Sequence, residues 1–221
     1  MTDAVDAYAM EPFADDPVLD ALDLKQVRSR VSTRRLLRAA AELIAERGYE
    51  RTTLAAIGER AGYSHGLVTR RFGSKDGLLL ALLQKMVSEW AQHDILPELQ
   101  EHSGVDSLLV LIRGIRRSVA NDPSAMRALY ILMFEALKPE PAVLHERMRA
   151  IHASERLRAE DALERGIAAG TVVPGIDAKA TGQLVVAVLR GSAYQWVLDP
   201  AFDFDGTLRA LEAHLDHTLR A

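Results

Sequence analysis

His65, Gly66, Thr69 and Arg70 stand at i, i+1, i+4 and i+5, a spacing that gathers all four on one side of an α-helix. Val68 and Phe72, four apart, fall on the other side, with Leu67 and Arg71 on the flanks. Such a helix can bury one face and offer an imidazole, a hydroxyl and a guanidinium to the edges of base pairs. Arg bidentate to guanine is the commonest specific contact of this kind. Gly66 has no side chain, so the backbone can approach a DNA groove closely. Lys75, one residue after Ser74, falls in the first turn of the next helix, where the helix dipole and unpaired N–H groups favour a phosphate.

The remaining candidates for chemistry are weaker. His214 and His217 lie three apart with Asp216 between them, which could hold a metal but reads first as a solvated or interface pair, so no metal is assigned. His145 and His152, seven apart, share a helix face as pocket lining or polar surface. Met126, Tyr130, Met133 and Phe134 form an apolar stripe that is first of all core. With Trp90, Met148, Ile151 and His152 it could also wall a cavity for a small molecule. No serine elbow, phosphate loop or glycine-rich dinucleotide turn is present, so neither a catalytic constellation nor a cofactor is expected.

These side chains need helices to position them. Leu36, Ala40, Leu43 and Ile44 mark one face of a helix over residues 26–47, closed by Gly48. Thr53 caps a short second helix (Leu54, Ile57, Ala61), Gly62 stops it, and Ser64 caps the third, which runs to Gly73. Ser74 then opens a fourth helix carrying Leu79, Leu83, Met86 and Trp90. Helix, short turn with Gly, helix is the helix-turn-helix arrangement. Thr53 and Ser64, which open its two helices, join Leu67, Arg71 and Lys75 in the expected DNA-contact set. Further helices are expected over 104–120, 124–137, 141–169, 178–198 and 206–220, about nine in all and no strand.

Composition agrees. Cysteine is absent from the 221 residues, which excludes disulfides, thiolate metal sites and a cysteine nucleophile. No apolar run reaches the ~18 residues of a membrane span, and no signal segment opens the chain, so a cytoplasmic protein without a membrane partner is expected. The net charge of −4 divides unevenly: −7 over residues 1–24, +7 over 25–80 and −4 over 81–221. A basic block that coincides with the helix-turn-helix fits a polyanion partner, and the acidic head reads as a flexible tail.

Residues 33–83 resemble the DNA-binding domain of TetR-family transcriptional regulators. The resemblance rests on Arg35–Ala40, Gly48-Tyr49, Thr52-Thr53, Ile57, Ala61-Gly62-Tyr63-Ser64, Gly66, Val68, Phe72, Ser74-Lys75-Asp76 and Leu78. It implies a nine-helix all-α fold, a homodimer and a C-terminal domain that usually binds a small molecule. One position departs: Thr69 stands where the family usually has a Tyr that touches the DNA backbone, which would shift phosphate contacts onto Arg70 and Arg71. The C-terminal half, through Arg127–Ala136, Gly170, Gly191–Trp196 and Asp199-Pro200, is similar to a broad regulatory group that includes choline- and betaine-type regulators.

The expected organisation is therefore an acidic tail (1–24), a helix-turn-helix domain (25–80) and a helical regulatory and dimerisation domain (81–221). The expected function is repression relieved by an unidentified small-molecule effector. The alternative is a constitutive or architectural DNA-binding protein with a filled C-terminal core. The helix over 178–198 is apolar nearly all round, and the last helix carries Leu208, Leu211, Leu215 and Leu219 along one seam. Pairing two copies through Leu184, Leu189, Leu208, Leu211 and Leu215 would bury both helices in a four-helix bundle and present two recognition helices to a palindromic operator.

Overall fold

The structure, a computed structural model, describes residues 27–89, 96–99, 101–138 and 142–221. The acidic segment 1–24 and Trp90 lie outside the described residues. Among the described residues ten helical segments follow one another: α1 (Val27–Arg47), α2 (Leu54–Ala61), α3 (His65–Phe72), α4 (Lys75–Glu89), the single turn α5 (Leu96–Leu99), α6 (Val105–Asn121), α7 (Pro123–Glu135), α8 (Ala142–Ala168), α9 (Ala178–Leu198) and α10 (Phe204–Leu219). The fold is all-α. Among the described residues the only β pairing is an isolated bridge between Val172 and Arg220.

The helices belong to two compact units, and each contains two stretches of chain. In its described part, the first runs to Glu89 and adds Asp122–His145. Its core gathers Leu36, Ala40, Leu43 and Ile44 of α1, Ile57 of α2, Val68 and Phe72 of α3, Leu78 and Leu82 of α4, and Ala128 and Leu132 of α7. Asp122 starts α7 by accepting the Ala125 N–H at 2.9 Å, ahead of Pro123 in the first turn, where a missing N–H costs nothing. Ala128 and Leu132, which lie beyond the 25–80 segment expected to form the DNA-binding domain, join the core beneath the recognition helix.

In its described part, the second unit comprises residues 96–99, 101–121 and 146–221. Within it, Arg116 of α6 bonds Asp205 and Glu212 of α10 at 2.6 Å each, and Arg113 reaches Glu212 at 3.0 Å. Gly182 lets α9 approach α8 closely: a Cβ there would sit 3.0 Å from the Glu160 nitrogen. Glu155 of α8 is buried and pairs with Arg190 of α9 and, at 3.2 Å, with His152. Burial opposes its ionisation, but the charge of Arg190 and the hydrogen bonds from His152 and Arg190 prevail and hold the carboxyl at about 2.

The leucine seam of α10 is spent inside the chain. Leu208 and Leu215, with Leu219, are buried in the single protomer, as is Leu189 of α9, and Leu211 is half-buried. The final helix packs against α6 and α9 of its own chain, so these leucines contribute to the protomer's own core. Leu184 remains 61% exposed.

Candidate nucleic-acid interface

Local hydrogen bonding builds the helix-turn-helix. Thr53 Oγ1 accepts the Ala56 N–H at 3.2 Å to open α2, and Ser64 Oγ accepts the Leu67 N–H at 3.3 Å to open α3. Between them Gly62 adopts φ +76°, a left-handed conformation that L side chains rarely enter, and turns the chain in three residues. Gly58 sets how closely the two helices cross. A Cβ at this position would lie 2.7 Å from the Tyr63 carbonyl oxygen and 3.1 Å from Val68 Cγ2.

Val68 and Phe72 are fully buried beneath α3, and His65, Gly66 and Arg70 are exposed on the opposite side. Thr69 is half-buried beside them, its hydroxyl 3.4 Å from His65 Nε2. Leu67 is half-buried, and Thr53 and Ser64 are exposed at their caps. Open space surrounds the Gly66 Cα, as a close backbone approach requires. His65, Gly66 and Arg70 thus share the exposed side of α3, opposite Val68 and Phe72.

Arg71 points inward. Its guanidinium donates to Thr33 Oγ1 of α1, and burial lowers its pKa. It therefore ties the recognition helix to α1, whereas Arg70 beside it is exposed. Lys75 is half-buried. Its ammonium lies 3.9 Å from the centre of the Tyr49 ring and 3.4 Å from the Glu50 carbonyl oxygen, which it can donate to. Burial is the main reason its pKa is lowered. Tyr49 in turn donates to Asp76 Oδ1 at 3.1 Å, and burial, then the Asp76 charge, pushes its hydroxyl up to about 12. Lys138, after α7, pairs with Glu50 at 3.0 Å and with Glu135. Tyr49 thus seats the one cation of the α4 N-terminus, a role that sequence reasoning missed. A glycine inside the eight-residue α2 was the available signal for Gly58.

The remaining candidates separate. Met126, Tyr130 and Met133 are buried and Phe134 half-buried on α7 in the first unit; Met148 is buried and His152 half-buried on α8 in the second. His145 Nδ1 lies 2.8 Å from the Ala136 carbonyl oxygen, and His152 bonds Glu155, so each imidazole has a local partner. His214 and His217 are exposed. Among the described residues no cluster of three or more His, Asp or Glu could hold a metal ion.

The sequence pattern of the family described as "Bacterial regulatory proteins, tetR family" matches residues 36–82. That stretch runs from Leu36 in α1 to Leu82 in α4 and holds every exposed contact residue named above. Residues 36–82 are a TetR-family DNA-binding domain. The chain is similar to the fatty acid metabolism regulator protein of Bacillus subtilis, 22% identical over 80% of this chain and 88% of that one. Further curated relatives at 34–42% identity are matched over only 29–41% of their own length. A TetR transcriptional regulator from Chloroflexus aurantiacus superposes with a TM-score of 0.72 at 24% identity, covering 88% of this chain and 99% of that one. SmeT, the repressor of a Stenotrophomonas maltophilia multidrug efflux pump, superposes in its triclosan complex with a TM-score of 0.72 at 22% identity, covering 86% and 92%. A chain carrying this domain is a DNA-binding transcriptional regulator and not an enzyme. No helix among its described residues is long and apolar enough to cross a membrane.

Proposed function

We propose that this regulator represses transcription in the cytoplasm by holding a palindromic operator as a homodimer, and that a small-molecule effector releases it. The observation that carries the reading is the two-sided recognition helix: Val68 and Phe72 sealed in the core, His65, Gly66 and Arg70 exposed together. Two such helices must meet successive major-groove faces about 34–36 Å apart, or a multiple of that, so one protomer is not enough.

The dimer reading is supported by α9. Leu184, Ala187, Gly191, Tyr194 and Leu198 are all exposed and recur at spacings of three, four, three and four. This apolar seam, with small residues at its centre, fits close packing against a second copy of itself. The effector reading is supported by the triclosan complex of SmeT, a structural neighbour. An effector acts only through different affinities for the DNA-competent and released states. The apolar side chains of α7 and α8 are its first mutational targets.

Selection of bound DNA from a random pool tests the reading. An enriched inverted repeat, bound by a species of twice the protomer mass, is the expected result. Enrichment of single half-sites by a monomer would refute it. Compounds that raise the thermal midpoint and lower affinity for the selected site identify the effector.

A further inference from the structure

The first unit contains a groove of about 420 Å³, none of whose walls comes from α2 or α3. Leu37 and Ala41 of α1 and Leu82 and Met86 of α4 give it an apolar floor. On the α1 and α7 sides, Ala41 and Ala125 are too short to fill the space. The volume falls within the range of small-molecule sites, about 300–1,000 Å³, which likewise combine an apolar lining with a few placed polar groups.

The charged groups on the walls decide the ligand class. Arg34, Arg38 and Lys85 face two acids, Glu42 and Asp122. Both acids are engaged. Glu42 accepts from Arg38 at 3.0 Å and lies 3.6 Å from Arg60, and Asp122 accepts the Ala125 N–H. Arg34 is exposed and makes no ion pair among the described residues. The walls therefore carry one positive charge in excess above an apolar floor.

We propose that this groove binds a small amphiphilic carboxylate, its chain against Leu37, Ala41, Leu82 and Met86 and its charge against Arg34 and Lys85. The occupant braces α1, α4 and α7, which share one core with the recognition helix. The DNA-binding unit thereby has an input of its own, separate from any effector of the second unit. By linkage, the factor by which the carboxylate changes DNA affinity equals the factor by which DNA changes carboxylate affinity.

Methionine methyl resonances of the full chain test this, with octanoate as probe and octan-1-ol as its neutral counterpart. Met86 lines the groove and Met148 is buried in the second unit, and Met86→Leu and Met148→Leu assign the two signals. Octanoate is expected to shift Met86 saturably, at least tenfold more tightly than octan-1-ol. The Arg34→Gln/Lys85→Gln variant should weaken octanoate at least tenfold and leave octan-1-ol unchanged. Ala125→Trp, which fills the groove, should abolish the Met86 response. A shift of Met148 without Met86 would overturn the groove site while leaving the effector reading intact. Equal response to the alcohol, or no Met86 response at millimolar octanoate, would overturn it as well.

Discussion

Arg71, the penultimate residue of the recognition helix, turns away from the DNA side and donates to the hydroxyl of Thr33 in α1. Its neighbour Arg70 is exposed. Two consecutive arginines thus have opposite duties, because a rotation of about 100° per residue sends one to solvent and the other to the helix behind.

Arg70→Ala and Arg71→Ala should be separable by salt titration. Loss of Arg70 is expected to alter sequence preference at a cost of about 1–3 kcal/mol if a base contact is lost, or to lower the salt slope by about 0.9 if a phosphate contact is lost. Loss of Arg71 should lower the melting temperature and DNA affinity together, with slope and preference unchanged. A changed slope in Arg71→Ala would return that residue to the phosphate contacts.

Lys75→Ala should weaken binding to all sequences about equally and reduce the salt slope by roughly one. Tyr49→Leu removes the ring beneath the ammonium and the bond to Asp76 while keeping the charge. It should weaken binding less than Lys75→Ala and retain most of the slope, as measured by fluorescence anisotropy across salt concentrations.

Gly58→Ala should destabilise the protein by about 1–3 kcal/mol, because its Cβ meets a backbone carbonyl that cannot step aside. Gly66→Ala is the control: its Cβ meets open space, so denaturant midpoints should barely change while DNA affinity falls. Equal midpoints for Gly58→Ala and wild type would contradict the crossing geometry.

Glu155 makes stability acid-sensitive. Its folded carboxyl titrates at about 2, below the ordinary value of 4.5. The stabilisation is therefore fully present above about 4.5 and is lost as pH falls from there towards 2. Glu155→Gln should cost about 3 kcal/mol at neutral pH, and the difference from wild type should close across that window in urea titrations. A pH-independent difference would assign the cost to packing instead.

Charge on the two candidate seams should act differently. Leu184→Glu and Tyr194→Glu, at exposed α9 positions, are expected to give folded monomers by sedimentation with specific DNA binding abolished. Leu215→Glu buries a charge in the protomer and should unfold the second unit instead. An unchanged dimer in both α9 variants would move the interface elsewhere.

Local chemistry explains what was legible in the sequence. Thr53, Gly62, Ser64 and Gly73 mark the ends of α2 and α3 because caps and left-handed turns involve only neighbouring residues. The 178–198 helix is found over the same residues for a similar reason: Asp177 caps it and Asp199-Pro200 ends it. Tertiary packing explains what was not. Gly77 reads as an ordinary helix residue, yet a Cβ there would run into the Phe72 carbonyl. Leu208 and Leu215 carry the same periodicity whether they face a second copy or their own α6, so spacing could not decide between them. The direction of Arg71 depends on where α1 lies, which its own helix does not record.

The core beneath the recognition helix takes Ala128 and Leu132 from a stretch that enters the chain some distance after α4. A chain emerging from the ribosome therefore has α1 to α4 exposed before the residues that finish their packing exist. At about 5–20 residues per second, the interval from Glu89 to His145 lasts on the order of 3–11 s. The nascent head has no complete interior during that time, and a chain stopped at residue 90 should be unstable. Competence to bind DNA is therefore expected only once residues 122–145 have been made, so an unfinished chain is kept from acting as a DNA-binding protein.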